Sequence, residues 1–200
     1  MAENSKEDKI NIGLAICGSF CTFSTILKET ELLIQKGFHI TPILSPASKN
    51  TDTRFGKAID FCDSIEKITG EKIIDTIEKA EPIGPKKPFD ILIVAPCTGN
   101  TLAKLALGIT DTSVTMAVKA HIRNARPVLI AVSTNDALSN SAKNIAMLLN
   151  YKNIYFVPMR QDDYIKKPNS LVADFTKIEK SLKEALNGKQ IEPVFLDNLF

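Results

Sequence analysis

Four short runs of small hydroxyl and amide residues stand where apolar stretches end: Gly18-Ser19, Ser45, Thr98-Gly99-Asn100 and Ser133-Thr134-Asn135. Such runs suit a loop that receives a phosphate. Glycine lets the backbone come close, and the leading N–H groups of a following helix are still unpaired. The fullest version lies between Asp90 and Asp111, where Ile91 to Ala95 is wholly apolar, Pro96 stops the run, and Thr98, Asn100 and Thr101 open a helix. Each run also serves as an ordinary helix cap, which explains any one of them; four at the ends of parallel strands point to one ligand edge. No nucleotide fingerprint is complete, because Gly13 comes too early for G-x-G-x-x-G and no Gly-Lys-Ser/Thr follows.

Other reactive side chains are sparse. Cys17, Cys21, Cys62 and Cys97 form no C-x-x-C and have no paired histidine nearby, so zinc and dithiol chemistry both lack their spacing. Cys97, inside the richest loop, reads as a small buried hydrophobe. His39, within an apolar strand, is expected to be a hydrogen-bonded core residue, and His121, near Arg123, an exposed helix residue.

To position the four runs, apolar stretches alternate with amphipathic ones, the pattern of a parallel sheet wound on both faces. The spacing predicts strands over 10–17, 38–44, 90–95, 127–132 and 154–157. Helices are expected over about 22–36, 54–69, 100–108, 113–124, 140–150 and 170–186, with Gly37 and Gly188 ending the first and last. Residues 45–53 and 84–88 read as loops, 71–80 as a short strand or turn with a short helix, and 158–169 as a long charged loop placed to cover a site.

Two hundred residues at 44% hydrophobic content suit one domain over 1–200, with 1–8 as a polar tail. Twenty-five basic against 23 acidic residues, a net charge of +2, leave no electrostatic case for nucleic acid or an anionic membrane as partner. Six per cent aromatic content without tryptophan argues against a base-stacking surface. No stretch approaches a membrane span and the N-terminus lacks a signal-peptide core, so a cytoplasmic location is expected.

The run Ala95 to Asp111, with Gly18-Ser19, resembles the signature of the flavoprotein family of homo-oligomeric flavin-containing cysteine decarboxylases. Segments 51–56, 79–88, 131–137, 152–158 and 167–173 narrow the likeness, over nearly the whole chain, to a branch found as one chain of a two-chain oxidoreductase in spore-forming bacteria. The resemblance implies an α/β fold: a three-layer α/β/α Rossmann-like unit with a six-stranded parallel sheet. It also implies a homo-oligomer, trimeric or larger, with flavin mononucleotide (FMN) near an interface between its copies. Gly18 and Ser19 would meet the flavin phosphate, and Thr98 and Asn100 would lie beside phosphate or ring, with Ser45, Ser133, Thr134 and Asn135 nearby. Asn100 is the candidate catalytic residue.

The same likeness implies a dehydrogenase-like partner chain carrying NAD(P), and joint oxidation of a dihydropyridine-type dicarboxylate to its aromatic product during sporulation. A dicarboxylate substrate requires cationic partners. Arg54, Arg160, Lys166 and Lys167 fall on the expected ligand edge, and fork geometry favours Arg54 and Arg160. The alternatives are a flavin-dependent decarboxylase or prenyltransferase of the same family, or a non-catalytic scaffold for the partner. The family's decarboxylases use a histidine after the second strand, where this chain has none; its histidines are His39 and His121.

Overall fold

Five apolar stretches form the parallel strands β1 (Asn11–Ile16), β2 (His39–Leu44), β3 (Ile91–Cys97), β4 (Val128–Thr134) and β5 (Ile154–Phe156), side by side in the order β2-β1-β3-β4-β5. The structure is a computed structural model and describes residues 9–197; the expected polar tail, 1–8, lies outside the described residues. Two further short strands, β6 (Met159–Arg160) and β7 (Leu171–Ala173), pair antiparallel with each other, and β7 pairs antiparallel with β4. The α/β fold is therefore the expected one, with a sheet of seven strands, five of them parallel.

β3 is buried along its whole length, which requires cover on both faces. Its side chains alternate between two cores. Leu92 and Val94 enter one cluster, and Ile91, Ile93 and Ala95 the other. The helices are α1 (Phe23–Gln35), α2 (Pro46–Asn50), α3 (Ala58–Thr69), α4 (Ile77–Ala80), α5 (Ile83–Lys86), α6 (Gly99–Leu107), α7 (Ser113–Ile122), α8 (Ala142–Leu149) and α9 (Ile178–Leu186). α1, α3 and α9 supply one core through Ile26, Phe61, Ile65 and Leu182, whereas α4 to α8 supply the other through Ala80, Ile83, Leu102, Val114 and Ile145.

Where the elements depart from the sequence pattern, tertiary or capping contacts decide. Residues 45–53 contain α2, because Ser45 caps it by accepting from the Ser48 N–H at 3.2 Å and Pro46 begins it. The helix expected from 54 begins at Ala58, since Thr53 and Gly56 close a tight turn through mutual backbone bonds of 3.0 and 3.1 Å. Gly56 holds φ 142°, a value that favours glycine. Residues 84–88 contain the end of α5, closed by Lys87 in a left-handed conformation. The expected terminal helix from 170 starts only at Ile178; β7 and a single 3-10 turn, Phe175–Lys177, precede it. Among the described residues no helix is long and apolar enough to cross a membrane.

Candidate functional site

The carboxyl ends of β1, β3 and β4 open on one cleft of about 720 Å³. It lies where the strand order reverses, with β2 reached to one side of β1 and β3 to the other, so that neighbouring loops leave in opposite directions and open a crevice. Gly18 and Ser19 enter it from β1, Thr98 and Asn100 from β3, and Ser133, Thr134 and Asn135 from β4.

Ser19 Oγ and Ser133 Oγ share a hydrogen bond of 2.8 Å that ties the ends of β1 and β4 together across β3. The 3-10 turn Phe20–Thr22 starts at once. Thr22 donates to the Ser19 carbonyl through both its N–H (3.0 Å) and its hydroxyl (2.8 Å), so the Phe20 and Cys21 N–H groups are the turn's leading donors. Thr98 stands at the N-cap of α6 without capping it, its hydroxyl meeting Thr101 Oγ1 at 3.4 Å. The positive end of α6 therefore fronts the cleft without a side-chain cap.

Gly99 is held by packing. A Cβ there would fall 2.5 Å from Asp136 Oδ1, 2.6 Å from Ser141 Oγ and 2.9 Å from Thr134 Oγ1. Those atoms form one bonded group, in which Asp136 accepts from Thr134 Oγ1 at 2.6 Å and from Ser141 Oγ at 2.9 Å. Asn100 and Asn135 are exposed within the cleft.

Two of the residues expected here are elsewhere. Ser45 is buried as the cap of α2, its hydroxyl also 2.9 Å from Ser48 Oγ, and it does not line the cleft. Arg160 sits on β6, paired with Asp174 Oδ2 at 3.0 Å, and points its charge there. Arg54 does line the cleft, carried by the Thr53–Gly56 turn, with its guanidinium 4.9 Å from the Phe55 ring centre. Lys167 joins it from the 158–169 segment, paired with Asp162 at 2.8 Å. Burial alone would raise the Asp162 carboxyl, but hydrogen bonds from Lys167 and Ser170 outweigh it and hold it below the usual range. Sequence reasoning ranked Lys167 below the arginines and missed Asp136, Phe20 and Phe55; an aromatic beside an arginine and a glycine in a polar turn was the available signal.

The histidines reverse their expected places. His39 begins an edge strand, where it is half-buried with Nε2 2.8 Å from Glu71 Oε1. His121 is buried because α7 packs against the sheet beneath α4 and α5; its Nε2–H donates to the Pro127 carbonyl at 3.1 Å, and burial pushes the imidazole down to about 4. Neither lines the cleft. Cys97 is buried as expected, and burial pushes its thiol well up, which removes it as a nucleophile. No cluster of three or more potential metal ligands occurs among the described residues.

The pattern of the family described as Flavoprotein matches residues 1–183. The B subunit of dipicolinate synthase from Bacillus subtilis (strain 168) is 43% identical over 187 residues, 94% of each chain. The crystal structure of the same B subunit from Bacillus halodurans superposes with a TM-score of 0.87 at 41% identity, covering 95% of this chain and 97% of that one. The FMN-dependent cysteine decarboxylase SpaF, at 23% identity and a TM-score of 0.66 over 88% of this chain and 97% of that one, shares the fold.

Proposed function

Because the chain belongs to the Flavoprotein family, we propose that its cleft holds the phosphate of FMN and that it serves as the B subunit of a dipicolinate synthase. In that reading it acts with the A subunit of dipicolinate synthase, a dehydrogenase-like chain carrying NAD(P), to oxidise a dihydrodipicolinate-type precursor to dipicolinate. It does so as a homo-oligomer, trimeric or larger, in the cytoplasm of a sporulating cell. The observation that carries the reading is the pair of uncapped N-termini, at the Phe20 turn and at α6, opening on one cleft.

The residues present fit a flavin nucleotide. A cleft of about 720 Å³ is within the usual range of cofactor sites, and the two carboxylates that line it are already engaged, Asp136 by Thr134 and Ser141 and Asp162 by Lys167. Gly18, Ser19 and the Phe20 and Cys21 N–H groups would take the phosphate, while Thr98, Asn100, Thr134 and Asn135 flank the rest. Bound FMN would supply a ring able to accept a hydride. Arg54 and Lys167 hold the substrate carboxylates in this reading, Arg160 being engaged by Asp174. Asn100, exposed at the start of α6, orients the reacting group through its amide. A decarboxylase of the family's histidine-dependent kind is disfavoured because neither histidine lines the cleft.

Titration of the purified chain with FMN, followed by flavin fluorescence, tests the reading. Ser19→Asp places a like charge in the cradle and is expected to weaken binding at least tenfold, about 1.4 kcal/mol. Unchanged affinity moves the phosphate elsewhere, and a wild-type chain that binds no flavin leaves the scaffold role.

A further inference from the structure

A second, smaller cavity of about 220 Å³ lies beside the cleft, between α1, α3 and the Thr53–Gly56 turn. Its walls are aromatic. Phe20, Phe23, Phe55 and Phe61 all line it; Phe23 stacks on Phe61 with ring centres 4.1 Å apart, and Phe20 tilts against Phe23 at 5.3 Å. Four of the chain's ten phenylalanines thus face one small space, and two of them, Phe20 and Phe55, also wall the cleft. Phe55 is 55% exposed on its turn, with the Arg54 guanidinium 4.9 Å from its ring centre.

The lining carries one cation and one carboxylate, and a second cation stands beside it on the cleft side. Lys57 lines the cavity and Arg54 lies over the Phe55 ring, and neither has an ion-pair partner among the described residues. Asp60 is the one carboxylate in the lining, and it is exposed. Aromatic walls favour a flat conjugated ring through offset and edge contacts, and unpaired cations at the rim favour carboxylates. The cavity is below the usual range for larger ligands, which restricts it to a single ring.

We propose that this phenylalanine-walled pocket binds a planar six-membered ring bearing carboxylates, with its charge met by Lys57 and Arg54. The proposal rests on the dicarboxylate reading above and deepens it: the cleft takes the phosphate-bearing cofactor, the pocket takes the substrate ring, Lys57 replaces Lys167, already paired with Asp162, as the second cation beside Arg54, and Phe20 and Phe55 form the shared wall across which the two ligands face each other.

Calorimetric titration of the full chain with pyridine-2,6-dicarboxylate tests it, with piperidine-2,6-dicarboxylate as a control that keeps the carboxylates and loses the flat ring. The aromatic probe should bind at least about tenfold more tightly than the saturated one. Phe55→Leu should weaken the aromatic probe several-fold, and Lys57→Ala should weaken it about tenfold while leaving FMN affinity unchanged. Both residues are exposed, so unchanged far-ultraviolet dichroism accompanies either variant. No saturable binding, equal binding of the two probes, or weakening by Ser19→Asp with none by Lys57→Ala would each overturn the pocket. Failure of FMN to bind would overturn the cofactor reading and leave ring binding standing, so the two outcomes are separable.

Discussion

His121 shows how one buried side chain couples this fold to pH. Its imidazole lies inside the helix layer with Nε2–H bonded to the Pro127 carbonyl, and burial lowers it from 6.5 to about 4. Between those values the unfolded chain takes up a proton that the folded chain refuses. The stability that the neutral imidazole permits is therefore complete above pH 6.5, declines as pH falls, and levels off near 4, a span on the order of 3 kcal/mol. His121→Gln keeps a donor for Pro127 and cannot titrate, so its unfolding midpoint should vary less between pH 7 and pH 4.5 than that of the wild type. An equal slope in both would assign the acid sensitivity to other groups. The exchange of roles between His39 and His121 was not legible in the sequence, because the flanking residues of each are misleading: an apolar strand can lie at a sheet edge, and a helix near an arginine can lie inside.

At the scale of elements, the start of α6 depends on Gly99. Adding a Cβ would drive it into Asp136, Ser141 and Thr134, which are bonded to one another and have little room to move. Gly99→Ala should cost about 1–3 kcal/mol and tilt the front of α6, seen as a lower melting temperature with weaker FMN binding. A variant as stable as the wild type would mean that the polar group yields. The β3-to-α7 stretch was legible because an unbroken apolar run, a hydroxyl loop and a helix period follow one another locally. β7 was not, since Val172 pairs with Ser133, far back along the chain, and a three-residue strand carries no period of its own. The places of Ser45 and Arg160 were not legible for the same reason: each stands locally where a ligand contact is expected and is engaged by a cap or an ion pair that only the folded chain supplies.

For the whole molecule, the proposed division of labour between this chain and an NAD(P)-bearing A subunit makes turnover depend on both chains. The isolated chain should make dipicolinate slowly if at all, and turnover should appear when the dehydrogenase-like partner chain is added. Asn100→Ala should lower the turnover of the mixture by about tenfold or more while the two chains still co-elute in size-exclusion chromatography. Equal turnover by the isolated chain with added NAD(P) would refute the division, and an unaffected Asn100 variant would remove this loop from the chemistry. The hydroxyl bridge between Ser19 and Ser133 sets a threshold for any such ligand. Two groups that satisfy each other act as a resident competitor, and displacing them forfeits about 0.5–1.5 kcal/mol, roughly a two- to tenfold loss of affinity. A small anion that touches only this corner gains little beyond what it breaks, whereas a long ligand recovers the loss along the rest of the cleft; the bridge thereby selects for molecules that are more than a phosphate.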